Sequence, residues 1–482
     1  MSNIIVWLRR DLRLQDNPAL YYALATGHTV IPVYIYAPDE EAPWQPGSAS
    51  RWWLHHSLQA LDTALRAKQS ALLFYKGRSL RILQALIKAT QAKAVHWNSL
   101  YEPSLLKRDR FIKAALHKSG ITVRRFKGAL LHEPWTIKNQ AGKPYQLFIP
   151  FWQACQRFPL ERLPLAVPDT FKAPIKWPKS LNLNDLNILA HQNSHPEFAN
   201  IWQPGEAAAW QRLHKWCRGA LSDYAKQRDF PYLNGVSRLS PSLHFGELSP
   251  RQVLGAAKYA LYHLHGHTKG IESYERQLYW REFAYYLLYH YPKMTEQPLD
   301  TQFQKFPWRN NSQELLTAWQ QGQTGYPLID AGMRELRATG WMHNRVRMVV
   351  ASFLTKNCGI PWQEGARWFW DSLVDADLAN NTLGWQWVTG CGPDAAPSHR
   401  IFNPLLQSSR YDPQGQYLRR WLPEIAHLPI PERHKPWAAT PKPNYPAPII
   451  EMSNEITTDF WNKRICSRPV CSRRFIASFS GL

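Results

Sequence analysis

The chain has 482 residues, 44% of them hydrophobic, with 58 Lys and Arg against 36 Asp and Glu, a formal net charge of +22. That length supports two or three domains with a sizeable core, and no apolar run reaches the roughly 18 residues of a membrane span. A surplus of this size points to a polyanionic partner, most simply nucleic acid, and 23 Trp add stacking surface for flat rings.

The opening MSNIIVWLRRDLRLQDN puts charge where a signal peptide needs an apolar stretch, so a cytoplasmic protein is expected. Residues 1–130 alternate strand and helix. IIVWL (4–8), TVIPVYIY (29–36), ALLFYKG (71–77), AVHWNSLY (94–101) and ITVRRF (121–126) are short apolar, β-branched or aromatic runs. Helical patterns at 50–68 and 79–92 lie between them. This order predicts an α/β domain with a doubly wound parallel sheet. The first strand is followed by RRDLRLQDNPAL, not by the glycine fingerprint of a dinucleotide site.

Residues 131–205 are Pro-rich and read as a long surface linker. From 206 to 440 helix-like blocks dominate, which predicts a second, all-α domain; residues 441–482 form a Pro-rich and then basic tail. Cys155, Cys217, Cys358, Cys391, Cys466 and Cys471 are scattered without a CxxC pair, against both a zinc site and a disulfide framework. His263, His265 and His267 in HLHGH lack any accompanying acid or thiol and read as a solvated loop; no metal is expected.

NGVSRLSPSLHFGELSPR (234–251) sets Ser237, Ser240 and Ser242 around Arg238. Such a loop can cradle a phosphate, or it can be a turn with ordinary helix caps. In WMHNRVRM (341–348), Asn344 and Met348 are four apart and share one helical face, with Arg345 one step off it. The charge-poor stretch DADLANNTLGWQWVTGCG (375–392) holds two Asp, two Asn and two Trp. It is either a buried site for a polar planar ligand or a well-packed turn with capped helix ends.

This last stretch resembles the flavin-binding core of the photolyase/cryptochrome family, whose hallmark is DGDLAxNNxxWQW. WLRRDLRLQDNPAL (7–20), TGYPLIDAGMRELRATGWMHNRVRM (324–348), VDADLANNTLGWQW (374–387), DAAP (394–397) and RIFNP (400–404) resemble the same family in the same order. The resemblance runs over roughly residues 3–450 and is most like a bacterial cyclobutane pyrimidine dimer photolyase of class I type.

The resemblance implies an FAD folded into the helical domain. Tyr224, Ser237, Arg238, Leu239 and Ser240 match positions around its phosphates, and Asn344, Arg347, Asp375, Asp377 and Asn381 match those around the flavin and adenine. Val236 stands where the family commonly has Thr. Asn381 matches the residue facing flavin N5, where an amide cannot donate an acidic proton, as in photolyases. Trp385, Trp362 and Trp308 match an electron-relay triad. Trp280, also beside the cofactor, and Trp387 match the pair that flanks a flipped-out dimer. Gln277 and Met348 match positions that line that catalytic pocket, and Arg281, Arg345 and Arg400 match basic residues at its mouth. Gln277 replaces a common Glu, and Ser398-His399 replaces an aromatic pair.

The expectation is a monomeric, light-driven lyase that splits cyclobutane dimers in duplex or single-stranded DNA. It would carry FAD and a second antenna chromophore, a folate, a deazaflavin or a flavin. The alternatives are a cryptochrome-type photoreceptor and a (6-4) photolyase. The second needs two adjacent His where this chain has His343-Asn344.

Overall fold

The computed structural model describes residues 2–169, 171–189, 197–263, 268–394 and 401–452. The chain forms two compact units: one from the described parts of 1–295, 335–342 and 367–382, the other from those of 296–334, 343–366 and 383–482.

The first unit contains five parallel strands, β1 (Asn3–Leu8), β2 (Thr29–Tyr36), β3 (Leu73–Lys76), β4 (Ala92–Asn98) and β5 (Thr122–Phe126), in the order β3-β2-β1-β4-β5. Between them run α1 (Pro18–Ala25), α2 (Ser48–Ala67), α3 (Ser79–Thr90) and α4 (Pro103–Lys118). The expected doubly wound sheet is present, its strand limits within a few residues of the sequence reading.

Each strand sends alternate residues to opposite faces. Ile4, Val6 and Leu8 enter a core with Trp53, Leu58 and Leu61 of α2, whereas Ile5 and Trp7 enter the opposite core with Val33, Leu83, Val95, Trp97 and Leu116. Both faces are covered, so β1 reads as an unbroken apolar run. Pro32 is tolerated inside β2 because β3 pairs only from Val33 onward.

The segment after β1 is a buried polar joint. Arg9 pairs with Asp109 at 2.9 Å, and the Asn98 amide donates to Asp11 at 2.6 Å and to Asn17 at 2.7 Å. Asn17 in turn caps α1. The fully buried Arg13 donates to the carbonyls of Asp16, Gly128 and Gly246 at 2.7–2.8 Å. RRDLRLQDN therefore ties the sheet to the helical part of its own unit.

Residues 131–205 differ from a plain surface linker. They include the helix Phe148–Gln156, and they bury Leu186, Ile188, Phe198 and Trp202. The Trp202 indole donates to the Thr339 carbonyl at 2.7 Å. Aromatic and apolar residues spaced among prolines pack here without regular periodicity, which is why no pattern showed in the sequence.

The second unit is helical. Its helices include Gln313–Gln321, Asn344–Ser352 followed by a π-turn at Phe353–Asn357, and Pro404–Tyr411. Asp330 lies fully buried and accepts from Thr324 N at 2.7 Å, Gly325 N at 3.0 Å and Tyr445 Oη at 2.5 Å. Tyr326 Oη donates to the Ile450 carbonyl at 2.7 Å. The first part of the expected tail is thus docked on this unit, and the tail from residue 453 lies outside the described residues.

Gly246 has φ +67°, and a Cβ there would overlap the Arg10 carbonyl and the Asp11 backbone. Gly246→Ala combines a left-handed cost of about 1–2 kcal/mol with that overlap. Urea unfolding should show a loss of at least about 2 kcal/mol.

Candidate functional site

In the first unit, the loop that leads into the helix Ser240–His244 carries the expected phosphate-side residues. Arg238 has φ +51°, unusual for a non-glycine residue, and the next residue, Leu239, is right-handed helical at φ −92°. Successive backbone N–H groups in this alternation converge on a concavity that suits an anion. The Arg238 guanidinium lies over the Trp341 ring at 4.7 Å, and the Trp341 indole donates to Ser240 Oγ at 3.4 Å. Tyr274 Oη donates to Ser237 Oγ at 3.3 Å. Tyr274 in turn packs edge-on against the buried Tyr224 at 5.4 Å. Leu239 is buried.

The acidic end of the motif lies in the same unit. Asp377 precedes the helix Leu378–Thr389 and caps it: Oδ1 accepts from Asn380 N at 2.9 Å and from its side-chain amide at 2.7 Å. Oδ2 accepts from Tyr285 Oη and lies 3.3 Å from His244 Nδ1. Burial opposes the charge of Asp377. The His244 hydrogen bond and charge, Arg281 and Tyr285 outweigh it and hold the carboxyl well below the usual range. Asp375 is buried two residues earlier, and Asn381 lies in the first turn of the capped helix, its N–H bonded to the Asp377 carbonyl at 2.8 Å.

On the long helix Thr268–His290, Gln277 Oε1 accepts from Arg228 Nη2 at 3.4 Å, and Trp280 stacks on Phe148 at 3.9 Å and 9°. Arg281 departs from its expected place at a DNA-facing mouth. Its side chain is 11% exposed, donates to the Ala129 carbonyl at 3.0 Å, pairs with Glu282 at 3.5 Å and lies over the Tyr285 ring at 4.8 Å. It is turned inward, toward the partners of Asp377. Arg–acid and Arg–aromatic pairing inside the unit outcompetes exposure.

In the second unit, His343 caps the helix Asn344–Ser352, its Nδ1 accepting from Arg345 N at 3.2 Å. Asn344 and Met348 share a face, the amide 3.9 Å from the thioether sulfur. Arg345 lies over the Tyr411 ring at 4.4 Å, and Arg347 is half-buried. Trp362 is 2% exposed and opens the helix Trp362–Ser372; Trp308 is half-buried, 4.6 Å from Phe306. Trp385 is also 2% exposed, and a Cβ on Gly365 would overlap its ring. Trp387 is half-buried. Arg400, Ser398 and His399 lie outside the described residues, as do His265, His267, Cys466 and Cys471.

Sequence reasoning missed three structural partners: His244, Tyr285 and Trp319. The Trp319 ring is 6.2 Å from Trp385, and its indole donates to the Val350 carbonyl at 3.1 Å. The one available signal was spacing, since Tyr285 stands four residues after Arg281 on a helix.

The sequence pattern of the FAD binding domain of DNA photolyase matches residues 274–460, and that of DNA photolyase matches residues 4–169. The deoxyribodipyrimidine photo-lyase of Agrobacterium fabrum (strain C58) is 43% identical over 460 residues, 93% of this chain and 95% of that protein. The chain belongs to the photolyase/cryptochrome family. Its kinship extends to the cryptochromes: Cryptochrome-2 of Arabidopsis thaliana is 41% identical over 446 residues, 90% of this chain and 72% of that one. Among solved structures, a bacterial class III photolyase from Agrobacterium tumefaciens superposes with a TM-score of 0.91 at 41% identity, covering 96% of this chain and 98% of that one. That likeness gives the class I reading no support.

The chain therefore carries an FAD-binding domain. The donor set fits the group: the hydroxyls of Ser237 and Ser240 and the Arg238 guanidinium suit phosphate, on a loop that turns through a left-handed residue.

Asp377→Asn should cost about 1–3 kcal/mol at pH 7. Because folding depresses the pKa of Asp377, its contribution is complete above the unfolded value and is lost as pH falls below it. The difference between variant and wild type should therefore shrink below about pH 4, as read by urea unfolding at pH 7, 5 and 3.

Proposed function

We propose that this protein is a DNA photolyase that repairs cyclobutane pyrimidine dimers with light, acting as a cytoplasmic monomer on damaged duplex or single-stranded DNA. The observation that supports this most is the match along nearly the whole length of a deoxyribodipyrimidine photo-lyase, with Asn381 in the capped turn beside Asp377. Among the described residues, no helix is long and apolar enough to cross a membrane. Residues 1–130 are read as the antenna domain, 131–205 as a linker and 206–440 as the FAD domain.

When bound and reduced, FAD supplies one electron to the dimer on absorbing blue or near-ultraviolet light, and recovers it after the ring splits. Ser237, Arg238, Leu239, Ser240 and Tyr224 would hold its phosphate side, and Asp375, Asp377, Asn381, Asn344 and Arg347 its rings. Trp280 and Trp387 would flank the flipped-out dimer. Gln277 would hydrogen-bond the dimer, with Arg228 fixing its amide orientation, and Met348 would line the pocket. Arg345 and Arg400 would contact phosphate. Denaturing the protein should release noncovalent FAD.

Substrate choice turns on position 344. A (6-4) repair site needs a pocket His able to pass a proton near neutral pH. Asn344 cannot do this, and His343 Nδ1 is engaged as a helix cap. Wild-type protein should repair a cyclobutane-dimer oligonucleotide under light and leave a (6-4) oligonucleotide unchanged, and Gln277→Glu should retain or modestly raise turnover. The opposite lesion preference would reverse the assignment, and no repair of either lesion would favour the photoreceptor reading.

Trp385 and Trp362 are buried and Trp308 is half-buried, an inside-to-outside order that suits a relay refilling the flavin. Trp362→Phe should abolish photoreduction of oxidised FAD while sparing repair by protein reduced beforehand with dithionite. Loss of both activities would make Trp362 a packing residue only.

A further inference from the structure

The residues packed behind Trp280 have no part in the chemistry above. Arg276 and Trp280 stand four apart on the helix Thr268–His290, and Phe148 and Trp152 stand four apart on the helix Phe148–Gln156, so each pair shares one face of its helix. The Phe148 ring lies 3.9 Å from the Trp280 ring at 9° and 6.3 Å from the Trp152 ring at 4°. The three rings are thus parallel, and the Arg276 guanidinium closes the stack over Trp152 at 4.6 Å.

Ordinary core packing does not account for this geometry. Aromatic pairs prefer centroids about 4.5–7 Å apart, offset or edge-on, because overlapping ring faces repel. A separation of 3.9 Å at 9° is close to full overlap, the arrangement that two rings adopt least readily by themselves. The fully buried Phe283 enforces it. Its ring lies 5.9 Å from Phe148 at 67° and 5.9 Å from Trp280 at 74°, edge-on to both, so that a slide of either ring meets Phe283. Phe148 is 1% exposed, but Trp280 is only half-buried. With one indole face covered by Phe148, the remaining exposure lies on the other face and the ring edge.

We propose that Phe148 is a positioning residue for lesion capture. It fixes the plane of Trp280, so that the outer indole face stands preformed as a wall for the flipped-out dimer, and Trp152 and Arg276 hold Phe148 in turn. A ring that is already ordered loses no side-chain freedom when a base packs on it. The inference rests on the reading of Trp280 as a wall of the lesion pocket.

The test is the ratio of affinities of FAD-loaded full-length protein for a cyclobutane-dimer oligonucleotide and for the same undamaged oligonucleotide, read in the dark by fluorescence anisotropy. Wild type should prefer the dimer. Phe148→Leu, which removes the ring and keeps the site apolar, should lower that preference about two- to tenfold, the cost of ordering one freed side chain. FAD content, affinity for undamaged DNA and repair per absorbed photon at saturating dimer should stay as in wild type. Trp152 is half-buried, and its replacement disturbs the fold less. Trp152→Leu should lower the preference about twofold or more, and Trp152→Phe, which keeps a ring, should retain it. An unchanged preference in both leucine variants overturns the inference, as does a loss shared equally with undamaged DNA or accompanied by loss of FAD. If Phe148→Leu does not fold, the two Trp152 variants decide. A wild type with no preference for the dimer overturns the photolyase reading itself, and this inference with it.

Discussion

A single carboxylate that stays charged out of water organises the first unit around the family motif. Desolvating Asp377 is unfavourable, and the charge persists because four side chains from three stretches of sequence converge on it: Asn380, His244, and Arg281 with Tyr285 on one helix. The same carboxylate caps the helix that carries Asn381, Trp385 and Trp387. The start of that helix, and so the direction in which its aromatic residues project, depends on an electrostatic balance rather than on apolar packing alone.

Much of this was legible in the sequence, for reasons that differ by region. The sheet announced itself because strands buried on both faces leave unbroken apolar runs, and the order of strands and helices admits few topologies. The helix face shared by Asn344 and Met348 followed from periodicity. The inward turn of Arg281 did not, because a charged residue on a helix carries no mark of whether an acid waits for it in space. The same is true of the segment 131–205. Phe148 stacks on Trp280 across 132 positions of chain, and local pattern holds no information about such a pairing.

The kinship to both a photolyase and a cryptochrome places the burden of function on a few side chains. The scaffold that supports the ionised Asp377, the left-handed Arg238 and the buried tryptophans is compatible with either outcome. On the reading proposed above, the photoreceptor question turns on whether position 381 can donate a proton, and the lesion question on whether position 344 can shuttle one and what position 277 would present to a dimer. In this chain all three are amides, which accept and donate hydrogen bonds but do not titrate.

The missing side chain at Gly365 has a consequence for how this sequence can vary. The Trp385 ring occupies the space where any Cβ at 365 would sit, so the two positions share one volume. Neither can be altered in isolation without leaving a void or a collision. A lineage that enlarges residue 365 must first shrink residue 385, and so give up an indole in the core of the second unit. Residue 365 should therefore track residue 385 as a pair through any divergence of this sequence, although only the tryptophan has redox chemistry to offer.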